Sequence, residues 1–338
     1  MLNDFRKDYI LDRWVVIATE RQRRPVDFIR ETATKRRAEG DLCPFCPGNE
    51  EKTPPATLVY LQSEEGIVKE KDTNGHRHRK WLIRCVPNLY PAFSPPEKDD
   101  LWEQGKAVGY HEVLIESPNH NEHPAEARIP QLTHVINGYI DRLKAFSSTP
   151  FVKYVSIFRN HGSEAGASLS HAHSQIIATP IVPTVLTEEL SSSMEFHQKH
   201  GECVFCEIVG KESKGPRMIW ENPEYLAFAP WAAIHPFEFW IIPKTHQASL
   251  SNLQQENVES LAHALKTCLG ALRKLLNDPP YNFAFHITPH ENTHEPYHWH
   301  LEVYPKLTIW AGFEKSTGIH INTMSPERAA EQMKEIIE

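Results

Sequence analysis

A pair of cysteines followed far downstream by a pair of histidines occurs twice in this chain of 338 residues. The two copies are Cys43-Pro-Phe-Cys46 with His171-Ala-His173, and Cys203-Val-Phe-Cys206 with His298-Trp-His300. A pattern that recurs in both halves of a sequence indicates duplication of one ancestral unit. A chain of this length is also long enough for two domains that each bury a core. We therefore predict an N-terminal domain over residues 1–188 and a C-terminal domain over residues 189–338.

Apolar patterning predicts sheets that are covered by long helices. β-branched and aromatic residues cluster near both histidine pairs, for example over residues 154–158 and 301–304, and such clusters are typical of strands. Apolar residues recur at helical spacing over residues 129–143 and again over residues 253–272. Because strands and helices do not alternate strictly, we predict an α+β fold with mainly antiparallel sheets.

The composition excludes several classes of protein. Hydrophobic residues make up 40% and charged residues 24% of the chain, as in globular proteins, and no run approaches the roughly 18 apolar residues that span a bilayer. The formal net charge of -8 repels a nucleic-acid backbone. The N-terminal segment lacks the basic start and apolar centre of a secretory signal. We expect a cytoplasmic protein that binds neither membranes nor nucleic acids.

The first cysteine pair predicts a zinc site. Proline and glycine around Cys43 and Cys46 shape a tight turn that directs both thiolates at one point, as tetrahedral zinc requires. His120, which follows a predicted strand, and His171 complete the proposed set of four ligands. A redox dithiol is the alternative, but such dithiols normally lie in a βαβ context. A complete shell of two cysteines and two histidines leaves no position for water, so this zinc is expected to be structural.

The second cysteine pair predicts a second zinc site. Its proposed ligands are Cys203, Cys206, His246 and His298. His246 ends the strand-like segment over residues 241–246 and is expected to meet the cysteines there. An alternative metal set consists of His286, His298 and His300 with a carboxylate. The thiolates favour zinc and therefore the set that contains the cysteines.

The histidine pair of the first half can place a metal ligand and a catalytic residue on one short strand. Alternate residues of a strand share a face, so His171, His173 and Gln175 are expected to point the same way. Zinc bound to His171 holds the backbone around it, and His173 is then positioned without binding the metal. An unperturbed histidine has a pKa of about 6.5, so near neutral pH much of it is a free base that can attack phosphorus. We predict that His173 is a catalytic nucleophile.

The loop before this strand is predicted to bind phosphate. Residues 159–170 combine small residues with hydroxyl, amide and guanidinium donors. Ser168 and Gln175 are expected to donate to phosphate oxygens on which charge builds up during transfer, and the alternative is an ordinary glycine-containing turn. Arg21 and Arg24 are further candidates, because arginine forks match phosphate oxygens, with a solvated basic turn as the alternative.

Short segments spread over nearly the whole chain together carry a resemblance to one known family. They are Arg21-Gln-Arg-Arg24-Pro25, Cys43-Pro-Phe-Cys46, Ser117-Pro-Asn-His120, Asn160 with Gly166-Ala-Ser168, His171-Ala-His173-Ser-Gln175, Trp231-Ala-Ala with Pro236-Phe-Glu238, and Gly312-Phe-Glu314. In this combination the chain resembles the galactose-1-phosphate uridylyltransferase family of the histidine-triad superfamily. The resemblance implies two tandem histidine-triad domains, each an antiparallel half-barrel sheet with covering helices, and a homodimer.

The resemblance also implies an activity and a set of roles. His173 takes a nucleoside monophosphate from a nucleotide sugar and passes it to a second phosphate compound in a ping-pong reaction. Ser168 and Gln175 hold the transferring phosphate. The resemblance further implies that Asn160 and Arg24 help to bind the nucleotide, that Asn88 lies near the ribose, and that Glu314 faces the hexose.

The chain also departs from the uridylyltransferase pattern. That family is expected to carry a lysine at the place of Thr308, which puts the identity of the hexose in question. Residues 166–175, the second cysteine pair and Gly312-Phe-Glu314 with Thr317-Gly318 are more similar to the ADP-glucose phosphorylase branch, which transfers adenylyl to phosphate.

Several functional readings follow from these residues. The first hypothesis is a zinc-containing UDP-glucose:galactose-1-phosphate uridylyltransferase of galactose metabolism. The alternative is ADP-glucose phosphorylase, and a nucleotide hydrolase is a third enzyme class. The alternative that is not an enzyme is a zinc-knuckle protein that binds nucleic acid without catalysis. The net charge of -8 argues against it.

Overall fold

The computed structural model describes residues 3–19, 43–96, 106–289 and 296–338. Strands and helices alternate irregularly along these residues. The strands are β1 (Asp4–Lys7), β2 (Trp14–Ile17), β3 (Leu58–Ser63), β4 (Gly66–Glu70), β5 (Trp81–Pro87), β6 (Tyr110–Ile115), β7 (Tyr154–His161), β8 (His173–Thr179), β9 (Met218–Glu221), β10 (Tyr225–Phe228), β11 (Phe239–Pro243), β12 (Tyr281–His286), β13 (His300–Pro305) and β14 (His320–Asn322). The helices are α1 (Ile129–Ser147), α2 (Thr184–His200), α3 (Val204–Glu212), α4 (Gln255–Leu276), α5 (Gly312–Thr317) and α6 (Pro326–Ile337).

One large sheet of 11 strands dominates the architecture, in the order β4-β3-β5-β6-β8-β7-β12-β13-β11-β10-β9. All of its neighbouring strands are antiparallel. The two halves of the chain join where β7 pairs with β12, with Phe158 opposite Ala284. The predicted α+β class with antiparallel sheets is confirmed.

The predicted division of the chain into two domains is not marked by a break in this sheet. Helix α2 runs from Thr184 to His200 and therefore crosses the position at which residues 188 and 189 meet. A separate sheet of three strands joins the beginning of the described chain to its end, because β2 pairs with β1 and also with β14. The boundary between residues 188 and 189 stays a prediction.

Two long helices cover one face of the large sheet. The buried positions of α1 include Leu132, Val135, Ile136 and Tyr139, and their spacing is that of a single helical stripe. Helix α4 buries Val258, Leu261, Leu265, Leu269 and Leu272 in the same manner and packs on α1 and α6. These residues belong to the main hydrophobic core. Within the described part of the chain, no helix combines the length and apolarity needed to cross a membrane.

The opposite face of the sheet, which we call the site face, carries the predicted chemistry. Residues that lie directly opposite each other in antiparallel strands share a face, and Ile115 lies opposite His173 while Val113 lies opposite Gln175. A small separate core of Val59, Trp81, Val86, Val113 and Ile115 lies in this half, and Phe45 from the first cysteine turn packs on it. The turn that carries Cys43 and Cys46 is therefore packed directly beside His173.

Candidate active site and metal centres

The first cysteine turn is closed by its own backbone. The Cys46 amide donates to the carbonyl oxygen of Cys43 at 3.3 Å, and the Asn49 side chain donates to the same oxygen at 2.8 Å. Gly48 has a φ of 93°, which a residue with a side chain rarely adopts. This local geometry places both thiols on one side of the turn.

All four predicted ligands of the first site meet there. The Sγ and nitrogen atoms that Cys43, Cys46, His120 and His171 offer lie within 4.8 Å of one another. Cys46 Sγ is 3.3 Å from His120 Nδ1 and 3.5 Å from His171 Nδ1. Two thiols and two imidazoles that converge on one point form a group that can hold a metal ion.

The far sides of both histidine rings are occupied by hydrogen bonds that suit a metal site. His171 Nε2 donates to the carbonyl oxygen of Ser117 at 2.8 Å, since a carbonyl only accepts. His120 Nε2 lies 2.9 Å from the Ser170 hydroxyl. With its proton on Nε2, His171 directs the lone pair of Nδ1 at the thiols, and burial lowers its pKa to about 4. The donor set therefore fits a bound zinc ion.

The second predicted set also converges. The ligand atoms of Cys203, Cys206, His246 and His298 lie within 4.8 Å of one another. Cys206 Sγ is 3.4 Å from His246 Nδ1 and 3.7 Å from His298 Nδ1. His246 is exposed, and His298 Nε2 is buried without a hydrogen-bond partner among the described residues. The second cluster is therefore more exposed to solvent than the first, and its histidine rings have less support from hydrogen bonds.

The alternative metal set of the second half is divided by the structure. His298 lies with the cysteines, whereas His286 and His300 lie with Glu189 and Glu302 in a separate buried cluster. His286 Nδ1 is 2.9 Å from Glu189, and His300 Nε2 is 3.1 Å from Glu302. Burial alone would lower the pKa of His286, but the two carboxylates outweigh it and raise that pKa to about 9. A protonated His286 therefore balances charge in this cluster.

His173 is the first residue of strand β8, and its two ring nitrogens differ in their hydrogen bonding. Its Nδ1 donates to the carbonyl oxygen of His171 at 2.7 Å, and only 7% of the residue is exposed. The proton is therefore on Nδ1, and Nε2 keeps its lone pair without a hydrogen-bond partner in the described part of the chain. Burial lowers the pKa of His173, which favours the neutral ring. The Phe45 ring packs edge-on at 5.4 Å between centroids.

A buried polar network supports β8 from the helix-covered side. Arg159 donates to the carbonyl oxygen of His173 at 3.1 Å and forms an ion pair with Glu116. Glu116 also accepts from the Ser174 hydroxyl, which lies 2.5 Å from the Tyr139 hydroxyl. Sequence analysis did not single out Glu116 or Tyr139, because their partners lie on strands and a helix distant in sequence.

The predicted phosphate residues surround the end of β7 and the start of β8. Asn160 accepts a hydrogen bond from Asn282 at 2.8 Å, and Asn282 also donates to the Ala165 carbonyl oxygen at 2.7 Å, so strand β12 holds the loop. Gly162 has a φ of 82°, and an added Cβ would lie 2.9 Å from Pro280. Ser168 is exposed in this loop, and its hydroxyl has no hydrogen-bond partner among the described residues.

Gln175 lies on the site face two residues beyond His173. Its Oε1 is 2.8 Å from His111 Nε2, and Asn88 Nδ2 is 3.1 Å from the same nitrogen. Asn88, predicted to lie near a ribose, is therefore close to Gln175. His111 was missed, because nothing local in the sequence shows which strand β6 pairs with.

The other predicted substrate residues are not joined to this site by a described contact. Arg21 and Arg24 lie outside the described residues. Glu314 lies in α5, where it accepts from the Ala311 amide at 3.0 Å and caps its own helix. Helix α5 packs beside β14, in the sheet of three strands.

Comparisons with known proteins support the resemblance found in the sequence. A family model described as a domain of unknown function (DUF4921) matches residues 118–338. The ADP-glucose phosphorylase of Arabidopsis thaliana is 34% identical over 343 residues, which cover 98% of this chain and 93% of that protein. The galactose-1-phosphate uridylyltransferase of Thermotoga maritima is 28% identical over 341 residues, which cover 98% of each chain.

A solved structure agrees with these sequence comparisons. The crystal structure of the Arabidopsis thaliana ADP-glucose phosphorylase with bound ADP-glucose has a TM-score of 0.81 and 31% identity, covering 98% of this chain and 99% of that one. Identity of this level over the full length carries family membership as well as fold. The chain is an enzyme that belongs to the galactose-1-phosphate uridylyltransferase family of nucleotidyltransferases, a family that includes the ADP-glucose phosphorylases.

Proposed function

We propose that this protein moves a nucleoside monophosphate from a nucleotide sugar to a phosphate acceptor through a covalent bond between phosphorus and His173 Nε2. The observation that carries the proposal is the state of the His173 ring. Nδ1 keeps its proton in a hydrogen bond to the His171 carbonyl oxygen, and Nε2, on the site face, has no hydrogen-bond partner among the described residues. A neutral imidazole with one free lone pair is the form of histidine that attacks phosphorus.

In the first step, Nε2 of His173 attacks the phosphorus that carries the nucleoside. A phosphorus–nitrogen bond forms, and the bond from that phosphorus to the bridging oxygen breaks. The electron pair of that bond leaves with the sugar 1-phosphate. The ring becomes positively charged, and its Nδ1 proton then donates a stronger hydrogen bond to the His171 carbonyl oxygen.

In the second step, an oxygen of the acceptor phosphate attacks the same phosphorus. The phosphorus–nitrogen bond breaks, and its electron pair returns to Nε2, which restores the neutral ring. No net proton change at His173 is required in either direction. The same geometry therefore serves both halves of a ping-pong reaction.

Charge on the transferring phosphate requires donors around it. Gln175 and Ser168 are the proposed donors. Gln175 lies two residues from His173 on the same face, and Ser168 is exposed, with no partner for its hydroxyl in the part of the chain that the structure describes. Asn160 is proposed as a nucleotide contact and Asn88 as a ribose contact. By family similarity Arg21 and Arg24 are assigned to the nucleotide and its phosphates, and Glu314 to the hexose.

The first cysteine cluster is proposed to hold structural zinc. Cys43, Cys46, His120 and His171 would fill a tetrahedral shell and leave no place for substrate. Zinc there would fix the position of the carbonyl oxygen that His173 uses. Zinc at Cys203, Cys206, His246 and His298 is proposed for the second half on the same chemistry.

Two nucleotide sugars are candidate donors. ADP-glucose with inorganic phosphate as acceptor is favoured by the 34% identity to the Arabidopsis thaliana phosphorylase, against 28% for the Thermotoga maritima uridylyltransferase. UDP-glucose with galactose 1-phosphate is the second candidate, supported by the match over 98% of each chain to that uridylyltransferase. By the same family similarity the active form is proposed to be a cytoplasmic homodimer.

The mass of the intact protein after incubation with a nucleotide sugar tests the proposal. Incubation with ADP-glucose is expected to add one adenylyl group, and incubation with UDP-glucose to add one uridylyl group if the second candidate is right. Addition of inorganic phosphate or galactose 1-phosphate should then remove the group. No adduct with either donor, or an equal adduct in His173→Ala, would show that the proposed chemistry is wrong.

A further inference from the structure

His111 links the backbone of one loop to the side chain of Gln175. It lies on β6, on the same face as Val113, which is directly opposite Gln175 on β8. Its Nε2 is 2.8 Å from Gln175 Oε1. Its Nδ1 is 3.0 Å from the backbone nitrogen of Ala92. The ring is therefore held at both nitrogens.

The Ala92 contact determines where the His111 proton lies. A backbone N–H only donates, so Nδ1 must accept and cannot carry a proton. The neutral ring then has its proton on Nε2, which donates to the oxygen of the Gln175 amide.

The loop that carries Ala92 is itself fixed to the sheet. The Ser94 amide donates to the Ala107 carbonyl oxygen at 3.0 Å, and the Gly109 amide donates to the Ser94 carbonyl oxygen at 2.9 Å. A Cβ on Gly109 would lie 2.3 Å from the Ala178 carbonyl oxygen, so the segment packs directly on β8. The donor that orients His111 is therefore in place before substrate binds.

The Asn88 side chain lies beside the same nitrogen of His111. Its Oδ1 accepts from the Tyr90 amide at 2.9 Å, so its NH2 group is the part that faces His111 Nε2 at 3.1 Å. A protonated Nε2 and this NH2 group are both donors, so the Ala92 contact alone fixes the His111 tautomer. The Asn88 NH2 group therefore stays available to a ligand beside Gln175.

We infer that His111 is a positioning residue that holds the Gln175 amide with its oxygen turned away and its NH2 group facing the transferred phosphoryl group. The inference rests on the proposed function. Without His111 the amide can rotate, and its oxygen can then face a negatively charged phosphate, which repels it. His111 acts only through Gln175 and does not touch the substrate.

A double-mutant cycle separates this role from simple support of the Ala92 loop. The proteins are the wild type, His111→Phe, Gln175→Ala and the double variant, and the readout is the single-turnover rate of nucleotidylation at saturating nucleotide sugar. His111→Phe is expected to slow this step by on the order of ten- to a hundredfold, up to the loss that removal of one such donor causes. In the Gln175→Ala background the same substitution should change the rate by less than about twofold. His111→Gln, which can still accept from Ala92 and donate to Gln175, should recover part of the rate.

Equal losses in both backgrounds would overturn the inference and leave the proposed function standing. Absence of any nucleotidyl adduct in the wild type would overturn both, and this is seen before any variant is made. A second measurement needs no variant: the 15N chemical shifts of the His111 ring in the folded protein. Protonated Nε2 with unprotonated Nδ1 supports the inference, and the opposite tautomer contradicts it.

Discussion

His171 and His173 are two residues apart and differ in what their rings face. His171 turns Nδ1 toward the cysteines and bonds the Ser117 carbonyl oxygen through Nε2. His173 instead donates from Nδ1, and within the described residues its Nε2 has no hydrogen-bond partner. We predict that His173→Ala keeps its fold and its metal content, because His173 is not a ligand, but forms no adduct. His171→Ala should lose about one metal ion per chain. Metal analysis and intact mass distinguish the two, and loss of metal from His173→Ala would contradict the assignment.

The buried cluster around His286 predicts a dependence of stability on pH. The pKa of His286 is raised to about 9 by Glu189 and Glu302 despite burial, and Arg13 opposes this weakly. A raised pKa stabilises the folded protein fully below the unfolded value of about 6.5 and loses that effect as pH rises through about 9. His286→Gln should therefore cost on the order of 2 kcal/mol near pH 6, and the cost should shrink toward pH 9.5. Urea unfolding of both proteins across this range measures it, and a cost independent of pH would contradict the ion pairs.

At the scale of elements, strand β8 is held between the cysteine turn and the polar network that α1 and β7 supply. Arg159 is buried with Glu116, so removal of either one alone leaves an uncompensated buried charge. Arg159→Met is expected to destabilise the protein by about 3–5 kcal/mol and to slow nucleotidylation, because the His173 carbonyl oxygen also loses its donor.

The double variant Arg159→Met with Glu116→Gln provides the matched control. It removes both charges, so its cost should be clearly smaller than the sum of the two single substitutions. Chemical denaturation gives the three values. Strict additivity would show that the two side chains do not act as a pair.

At the scale of the whole molecule, the two halves share one sheet yet have separate cysteine clusters. Arg6 near the start of the chain pairs with Glu327 in α6 at 3.0 Å and donates to the Trp231 carbonyl oxygen, so the ends are also tied together. We predict two zinc ions per chain, one lost in Cys43→Ser and the other in Cys203→Ser. Only the first loss should abolish nucleotidylation, because only that cluster contacts the turn and strand around His173.

Metal analysis and single-turnover assays on these two variants measure the prediction. Structural zinc contributes roughly 10–16 kcal/mol in small zinc domains, compared with a typical net stability of about 5–15 kcal/mol. Cys43→Ser is therefore expected to unfold at least the half that carries His173, which near-ultraviolet circular dichroism would detect. Full activity of Cys43→Ser after loss of that one zinc ion would contradict the proposed role.

Local patterns in the sequence were sufficient for much of the fold and for the ligand clusters. The apolar spacing over residues 129–143 marks α1, and cysteines three positions apart can meet one ligand centre without any knowledge of the sheet. Both four-residue clusters converge as their residue types suggested. These features depend on short-range periodicity and on the coordination chemistry of thiols and imidazoles.

The amino-acid sequence by itself therefore indicated the classes of element and the two convergent cysteine–histidine sets, and it predicted His173 as the nucleophile. Only the tertiary structure decided that β6 lies beside β8 in the register that brings His111 to Gln175. It also decided that His286 and His300 form a cluster with Glu189 and Glu302 and do not share a group of possible metal ligands with His298. The physical reason is that strand pairing and buried charge pairs depend on residues far apart in the chain. A shift of one residue in the β6–β8 register would turn His111 to the opposite face, and no local pattern records that register.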